Sequence, residues 1–220
     1  MIMSEVSTST RERILDVCLR LFNESGPAAV TTAEIARTAG INEGNLYYYF
    51  KKKEDILLAL FEAFEAALNE VANASQDTGD AGDGSDAALA YLQRWFRLMW
   101  AWRFFYRDGA AIKRMAPGLR ARTVTLADRG QADIKRALKQ MVKRGLLVAS
   151  DEELERLVVN AWIISSYWLD YLDTRHNVGR VTRDHLEWGF AQVLSLFLPY
   201  TRPGVPPAFP ASRRKSPPGQ

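Results

Sequence analysis

Apolar residues recur at helical spacing along nearly the whole chain. Over residues 10–25, Ile14, Val17, Cys18, Leu21 and Phe22 fall on one face, and Gly26-Pro27 ends the run. Thr31 followed by Glu34 is a capping-box signature and predicts a short helix to about Ala39. Gly40 marks a turn, and Asn42 is placed to N-cap a third short helix to about Phe50. Ile56, Leu57, Leu60, Phe61, Phe64 and Leu68 form the stripe of a longer helix over 53–73. The Gly/Asp-rich stretch 75–86 then interrupts the pattern and is the best internal boundary.

Beyond it, Asp86 is placed to cap a helix running to about Asp108, followed by a short element to Ala116 that Pro117-Gly118 breaks. A basic amphipathic helix is predicted over 119–144, ending at Gly145. Ser150 and Thr182 cap two more, over 151–175 and 183–198. No segment reads as a strand, so the fold class is all-α: a three-helix helix-turn-helix domain over 1–53, then a helical bundle over 54–200. The Pro-rich tail, 201–220, is expected to be disordered.

Composition narrows the classes. Of 220 residues, 47% are apolar and 11% aromatic, which excludes global disorder. The single Cys18 excludes an intrachain disulfide and any multi-cysteine zinc site. Apolar runs are too short to span a membrane, and the N-terminal stretch lacks the apolar core of a signal peptide. The expectation is a soluble, cytoplasmic protein with no membrane partner. The net charge of +3 hides a segregation. Residues 61–90 carry seven acids and no base, whereas 91–150 carry 14 Lys/Arg against three acids.

Two short helices joined at a glycine turn, after a longer supporting helix, follow the helix-turn-helix plan, whose second helix enters the major groove N-terminus first. Ile35, Ala36, Ala39, Ile41 and Leu46 would face its core. The residues Thr31, Glu34, Ile35, Ala36, Ala39, Gly40, Ile41, Gly44, Leu46, Tyr47, Tyr49, Phe50, Lys53 and Ile56 closely resemble, in order and spacing, the DNA-binding domain of the TetR family of bacterial transcriptional regulators. The resemblance covers about residues 10–57; the remainder agrees in architecture alone. It implies that Glu43, Gly44, Asn45 and Tyr48 read base edges, sugars or phosphates. It implies that Tyr47, Tyr49 and Lys53 hold the DNA backbone, with Thr32 and Asn42 beside them. Glu43 departs mildly from the basic or amide residue common in the family; a glutamate accepts from a cytosine amino group. Alone, Lys51, Lys52 and Lys53 would read as a solvated helix start; beside the motif, Lys53 is assigned to DNA.

Residues 91–106 contain eight aromatics, too dense for one helical face, and Trp162, Tyr167, Trp168 and Tyr171 form a second cluster. They are read either as core with hydrogen-bonded polar edges or as an apolar pocket for a hydrophobic or aromatic effector. The pocket candidates are Trp95, Met99, Trp102, Phe105, Trp162 and Tyr167. The interleaved Arg94, Arg97, Arg103 and Arg107 suit a solvated basic face, a clamp for an anionic effector, or added attraction to DNA. The resemblance further implies a homodimer paired through the last two long helices, with Leu157, Ala161, Ile164, Phe190, Val193 and Phe197 as the candidate face.

Enzymatic chemistry is not expected. His176 and His185 lack metal-ligand spacing, and no nucleophile elbow, Walker loop or dinucleotide fingerprint occurs. Asp77, Asp80, Asp83 and Asp86 repeat every third residue, unlike an EF-hand. No metal or cofactor is implied. The expected function is a dimeric DNA-binding regulator, a repressor released by its effector from palindromic double-stranded DNA. The alternative is a helical ligand-binding or interaction protein without sequence-specific DNA binding.

Overall fold

The computed structural model describes residues 9–74, 84–179 and 181–202. Ten α-helices are placed there: α1 Thr10–Ser25, α2 Thr32–Thr38, α3 Glu43–Tyr49, α4 Lys53–Ala74, α5 Gly84–Ala101, α6 Arg103–Arg107, α7 Gly109–Met115, α8 Leu119–Lys143, α9 Asp151–His176 and α10 Arg183–Ser195. A 3-10 turn follows at Leu198–Tyr200. Two compact units divide the chain: Met1–Glu65 with Trp102–Ala121, and Ala66–Ala101 with Arg122–Gln220. Residues 102–121, placed in the C-terminal bundle by the sequence reading, therefore belong with the first unit.

In the first unit, α1 opens on a full capping box. Ser9 Oγ accepts from the Glu12 amide at 3.2 Å, and the Ser9 amide donates to Glu12 Oε2 at 2.8 Å. Gly26, at φ +79°, ends the helix in a conformation that side-chain-bearing residues rarely adopt. Ile14, Cys18 and Phe22 of α1 are buried with Ile35, Ala36 and Ala39 of α2, Leu46 of α3 and Ile56, Leu57, Leu60 and Phe61 of α4. The expected inward face is thus observed, except that Ile41 is half-buried.

The helix expected over 86–108 is broken. It starts at Gly84, so Asp86 lies inside it, and it stops at Trp102, whose φ of −116° and ψ of 28° leave the helical region. The break has a tertiary cause. The Phe104 amide at the start of α6 donates to the buried Asn23 Oδ1 of α1 at 3.1 Å, a partner 81 residues away that no local pattern reveals. Asp77, Asp80 and Asp83 lie outside the described residues.

In the second unit, Ser150 and Glu153 form another capping box at α9. The inward face of α9 is Leu154, Leu157, Val158, Ala161, Ser165, Trp168, Leu169 and Leu172. Phe96 of α5 meets Phe190 of α10 edge-on at 4.6 Å. Helix α10 stops at Ser195, three residues short of the expected end. An isolated antiparallel bridge joins Leu147 to Thr201. It is flanked by Val148 donating to the Tyr200 carbonyl at 2.8 Å and Arg202 donating to that of Leu146 at 3.3 Å. Thr201 and Arg202 are therefore tied to the bundle; the rest of the expected tail, 203–220, lies outside the described residues.

Candidate nucleic-acid interface

Helix α3 is short, and its placement depends on its ends. Asn42 Oδ1 accepts from the Asn45 amide at 2.7 Å, which caps the helix and leaves its first turn open to solvent. A Cβ on Gly44 would stand 3.3 Å from that same oxygen, so the glycine makes room for the cap as well as for an approaching backbone. Leu46 is buried and Phe50 closes the end, carrying the Arg11 guanidinium 5.3 Å above its ring. Glu43, Gly44, Asn45, Tyr47 and Tyr48 of α3 are all exposed.

Tyr48 is the most open of the three tyrosines at 74% exposure, and Tyr49 meets it edge-on at 5.1 Å. Tyr47 is 42% exposed; its hydroxyl and that of Thr32 share a hydrogen bond of 3.3 Å, joining α2 to α3. Eight of the nine assigned positions thus lie on α2, on α3 or at the Asn42 cap, and all but the half-buried Thr32 and Tyr49 are exposed. Lys53 does not follow them. Its ammonium is half-buried and donates to the carbonyls of Pro27 at 2.9 Å and Val30 at 2.5 Å. Burial pushes the Lys53 ammonium pKa below its ordinary value. Lys51 and Lys52 are exposed, and Lys52 pairs with Glu54 at 2.5 Å.

The aromatic candidates divide between the units. Trp102 and Phe105 stack at 6.1 Å, and both lie against Phe64, at 5.7 and 5.3 Å. In the second unit Trp95 and Met99 are buried, with Trp95 edge-on to Phe96. Trp162 is half-buried over α8, where its ring would lie 2.9 Å from a Cβ on Gly130. Tyr167 is 63% exposed, so it does not share a buried site with the others.

The candidate dimer face also needs correction. Leu157, Ala161, Val193 and Phe197 are buried in the chain's own interior; Ile164 and Phe190 are half-buried. The exposed apolar residues of α9 are instead Val159, Ile163, Tyr167 and Tyr171, one helical turn apart. Periodicity marked the apolar residues of α9 without saying which of its two apolar stripes the chain itself covers.

Sequence reasoning missed two more side chains. Arg107, read as one of a basic series, donates to the carbonyls of Phe22 and Asn23, each at 2.9 Å. Asn23, unremarkable in sequence, is a buried acceptor for α6. No signal short of tertiary contact marks either. Among the described residues, no helix is long and apolar enough to cross a membrane, and no three His, Cys, Asp or Glu side chains gather as a metal site.

These elements define an all-helical helix-turn-helix protein with a second helical unit. A family profile described as bacterial regulatory proteins of the tetR family matches residues 14–60, and one described as TetR, bacterial transcriptional repressor, matches residues 63–209. The chain belongs to the TetR family. The transcriptional regulator AcrR of Shigella flexneri is 40% identical over 62 residues, which is 28% of this chain and 29% of that protein. The chain thus aligns with less than a third of that relative's length. A TetR-family regulator from Marinobacter aquaeolei VT8 superposes with a TM-score of 0.78 at 29% identity, covering 89% of this chain and 93% of that one. AibR in complex with isovaleryl coenzyme A and operator DNA shares the fold, with a TM-score of 0.62 at 18% identity over 86% of this chain and 98% of that one.

Proposed function

We propose that the protein is a homodimeric, sequence-specific DNA-binding regulator, a repressor that leaves a palindromic operator when a small hydrophobic or aromatic effector binds. The observation that carries this reading is the exposed face of α3: a capped, open first turn backed by buried Leu46 and Phe50. Glu43, Gly44, Asn45 and Tyr48 face base edges and sugars. Tyr47, Tyr49, Thr32 and Asn42 donate to phosphates, and Lys51 adds charge. One such helix reads few base pairs, and a two-fold pair reads a palindrome.

The exposed stripe Val159, Ile163, Tyr167 and Tyr171 supports self-pairing through α9. On this reading the effector inserts among aromatic side chains of the C-terminal part, and α4, continuous from Lys53 to Ala74, is the element whose tilt respaces the reading helices. Coupling is reciprocal, so DNA weakens effector binding by the same factor.

The test is enrichment of duplexes from a random-sequence library by the full chain, followed by footprinting. A palindromic consensus that the Tyr48→Ala chain no longer protects is the expected result. Salt-sensitive binding with no sequence preference overturns the reading and leaves the helical ligand-binding or interaction protein.

A further inference from the structure

The segment from Phe22 to Val30 joins α1 to the α2–α3 pair, so its path decides where the reading face stands in the first unit. Its own bonding is thin. Gly26 donates to the Phe22 carbonyl at 2.9 Å, and Val30 donates to that of Gly26 at 3.4 Å. Two cations from distant parts of the sequence complete it. Arg107, from α6, donates to the Phe22 and Asn23 carbonyls, two acceptors at the negative, C-terminal end of α1. Asp108 holds that guanidinium through bonds of 3.1 and 2.7 Å, and its carboxylate lies 3.3 Å from where a Gly26 Cβ would stand. Lys53, from the first turn of α4, donates to the Pro27 and Val30 carbonyls.

A lysine at a helix N-terminus is on the wrong side of the helix dipole, so its position there calls for a cause. The cause is the turn beneath it. Two of the three N–H donors of the Lys53 ammonium are thus committed to the turn, and one is left over.

We propose that Lys53 and Arg107 are positioning residues for DNA recognition: from α4 and α6 they hold the 22–30 segment by four carbonyl oxygens, and so fix the α2–α3 reading pair. The inference rests on the DNA-binding reading above and gives Lys53 a positioning role whether or not its remaining donor meets a phosphate. It also makes α6 an anchor of the reading pair, because its Arg107 grips the end of α1.

The experiment uses the full chain and the duplex of about 30 bp that the wild type enriches most from a random library, long enough for two half-sites. Affinity is measured across a salt series, at a temperature where melting curves show every variant folded. Lys53→Met and Arg107→Gln are expected to weaken binding by roughly tenfold or more, with the slope of log affinity against log salt unchanged in Arg107→Gln. Lys53→Arg, which keeps a donor at the turn, recovers part of the loss. Lys51→Ala, a phosphate-facing comparison, lowers the slope by about 1.8, since the dimer loses one contact from each chain. A slope lowered by that amount in Arg107→Gln, or an affinity left at the wild-type value in either variant, overturns the proposal. If the wild type enriches no duplex, the DNA-binding reading itself fails. Amide exchange over 26–35 then decides the clamp: faster exchange in Lys53→Met supports it, and unchanged exchange overturns it.

Discussion

The indole of Trp168 lies on the backbone of Gly189, where an added Cβ would stand 2.6 Å from Trp168 Cδ2. Trp168 is almost fully buried on the inward face of α9, so its rigid ring has nowhere to retreat. Gly189→Ala is therefore expected to destabilise the second unit by about 1–3 kcal/mol through overpacking. Denaturant unfolding of both chains measures it. The double variant Gly189→Ala/Trp168→Leu should cost less than the two single changes added together, because the leucine vacates the space that the alanine needs.

Asn23 and Phe104 make the comparable relationship in the first unit. The Asn23 carboxamide is buried and accepts the Phe104 amide at the start of α6. Asn23→Leu keeps the volume and removes the acceptor, leaving a buried N–H unpaired at a cost of about 1–3 kcal/mol. Hydrogen exchange should show the loss first at α6, with the Phe104 amide exchanging faster. An unchanged rate at that amide would sink the assignment of Asn23 as the cap of α6.

Helix positions in the reading unit were legible from sequence because local rules and tertiary demands agree there. The Thr31 and Asn42 caps, a glycine turn and an apolar face all point to the same three helices, and α1, α2 and α3 fall within a residue of expectation. Lys53 was legible as a residue that matters but not as to its direction, since a lysine's periodicity does not say whether its ammonium faces solvent or a carbonyl 26 positions away. The break at Trp102 was invisible for the same reason: its cause, Asn23, is remote in sequence. In α9 the apolar residues were identified correctly as apolar. Which of them the chain buries itself depends on packing against α10, and Leu157 and Ala161 went inward while Val159 and Ile163 did not.

Two glutamates cap helices and give the protein an acid dependence of known sign. The pKa of Glu153 is lowered chiefly by the Ser150 backbone N–H, at 2.7 Å, with the Ser150 hydroxyl and Arg156 adding to it. Glu12 is lowered in the same way by Ser9. A carboxyl held below its unfolded value stabilises the fold above that value and loses the contribution as pH falls through the folded one. Melting temperature should accordingly decline as pH drops from about 5 toward 3. Glu153→Gln, which keeps an acceptor oxygen but cannot titrate, should show a shallower decline. A parallel decline in the two chains would remove Glu153 as a contributor.

The exposed stripe on α9 makes the dimer prediction specific. Val159, Ile163, Tyr167 and Tyr171 recur every fourth residue, so they form one continuous band, and Tyr171 stacks on Trp188 of α10 at 6.0 Å. Burial of such a band against its own copy needs a two-fold axis, which places each residue near its equivalent across the interface. Ile163→Lys then sets two like charges close together in an apolar setting, which is unfavourable for the pair and harmless to the single chain. Sedimentation equilibrium should report two chains for the wild type and one for Ile163→Lys, with the helical circular dichroism signal retained. Leu157→Lys, six residues earlier on the inward face, should instead lose that signal, because its ammonium would be driven into the core. Operator affinity should fall with dimerisation in Ile163→Lys and be restored by raising protein concentration, since mass action rebuilds the pair. A monomeric wild type, or an Ile163→Lys chain that remains dimeric, would move the interface away from this band.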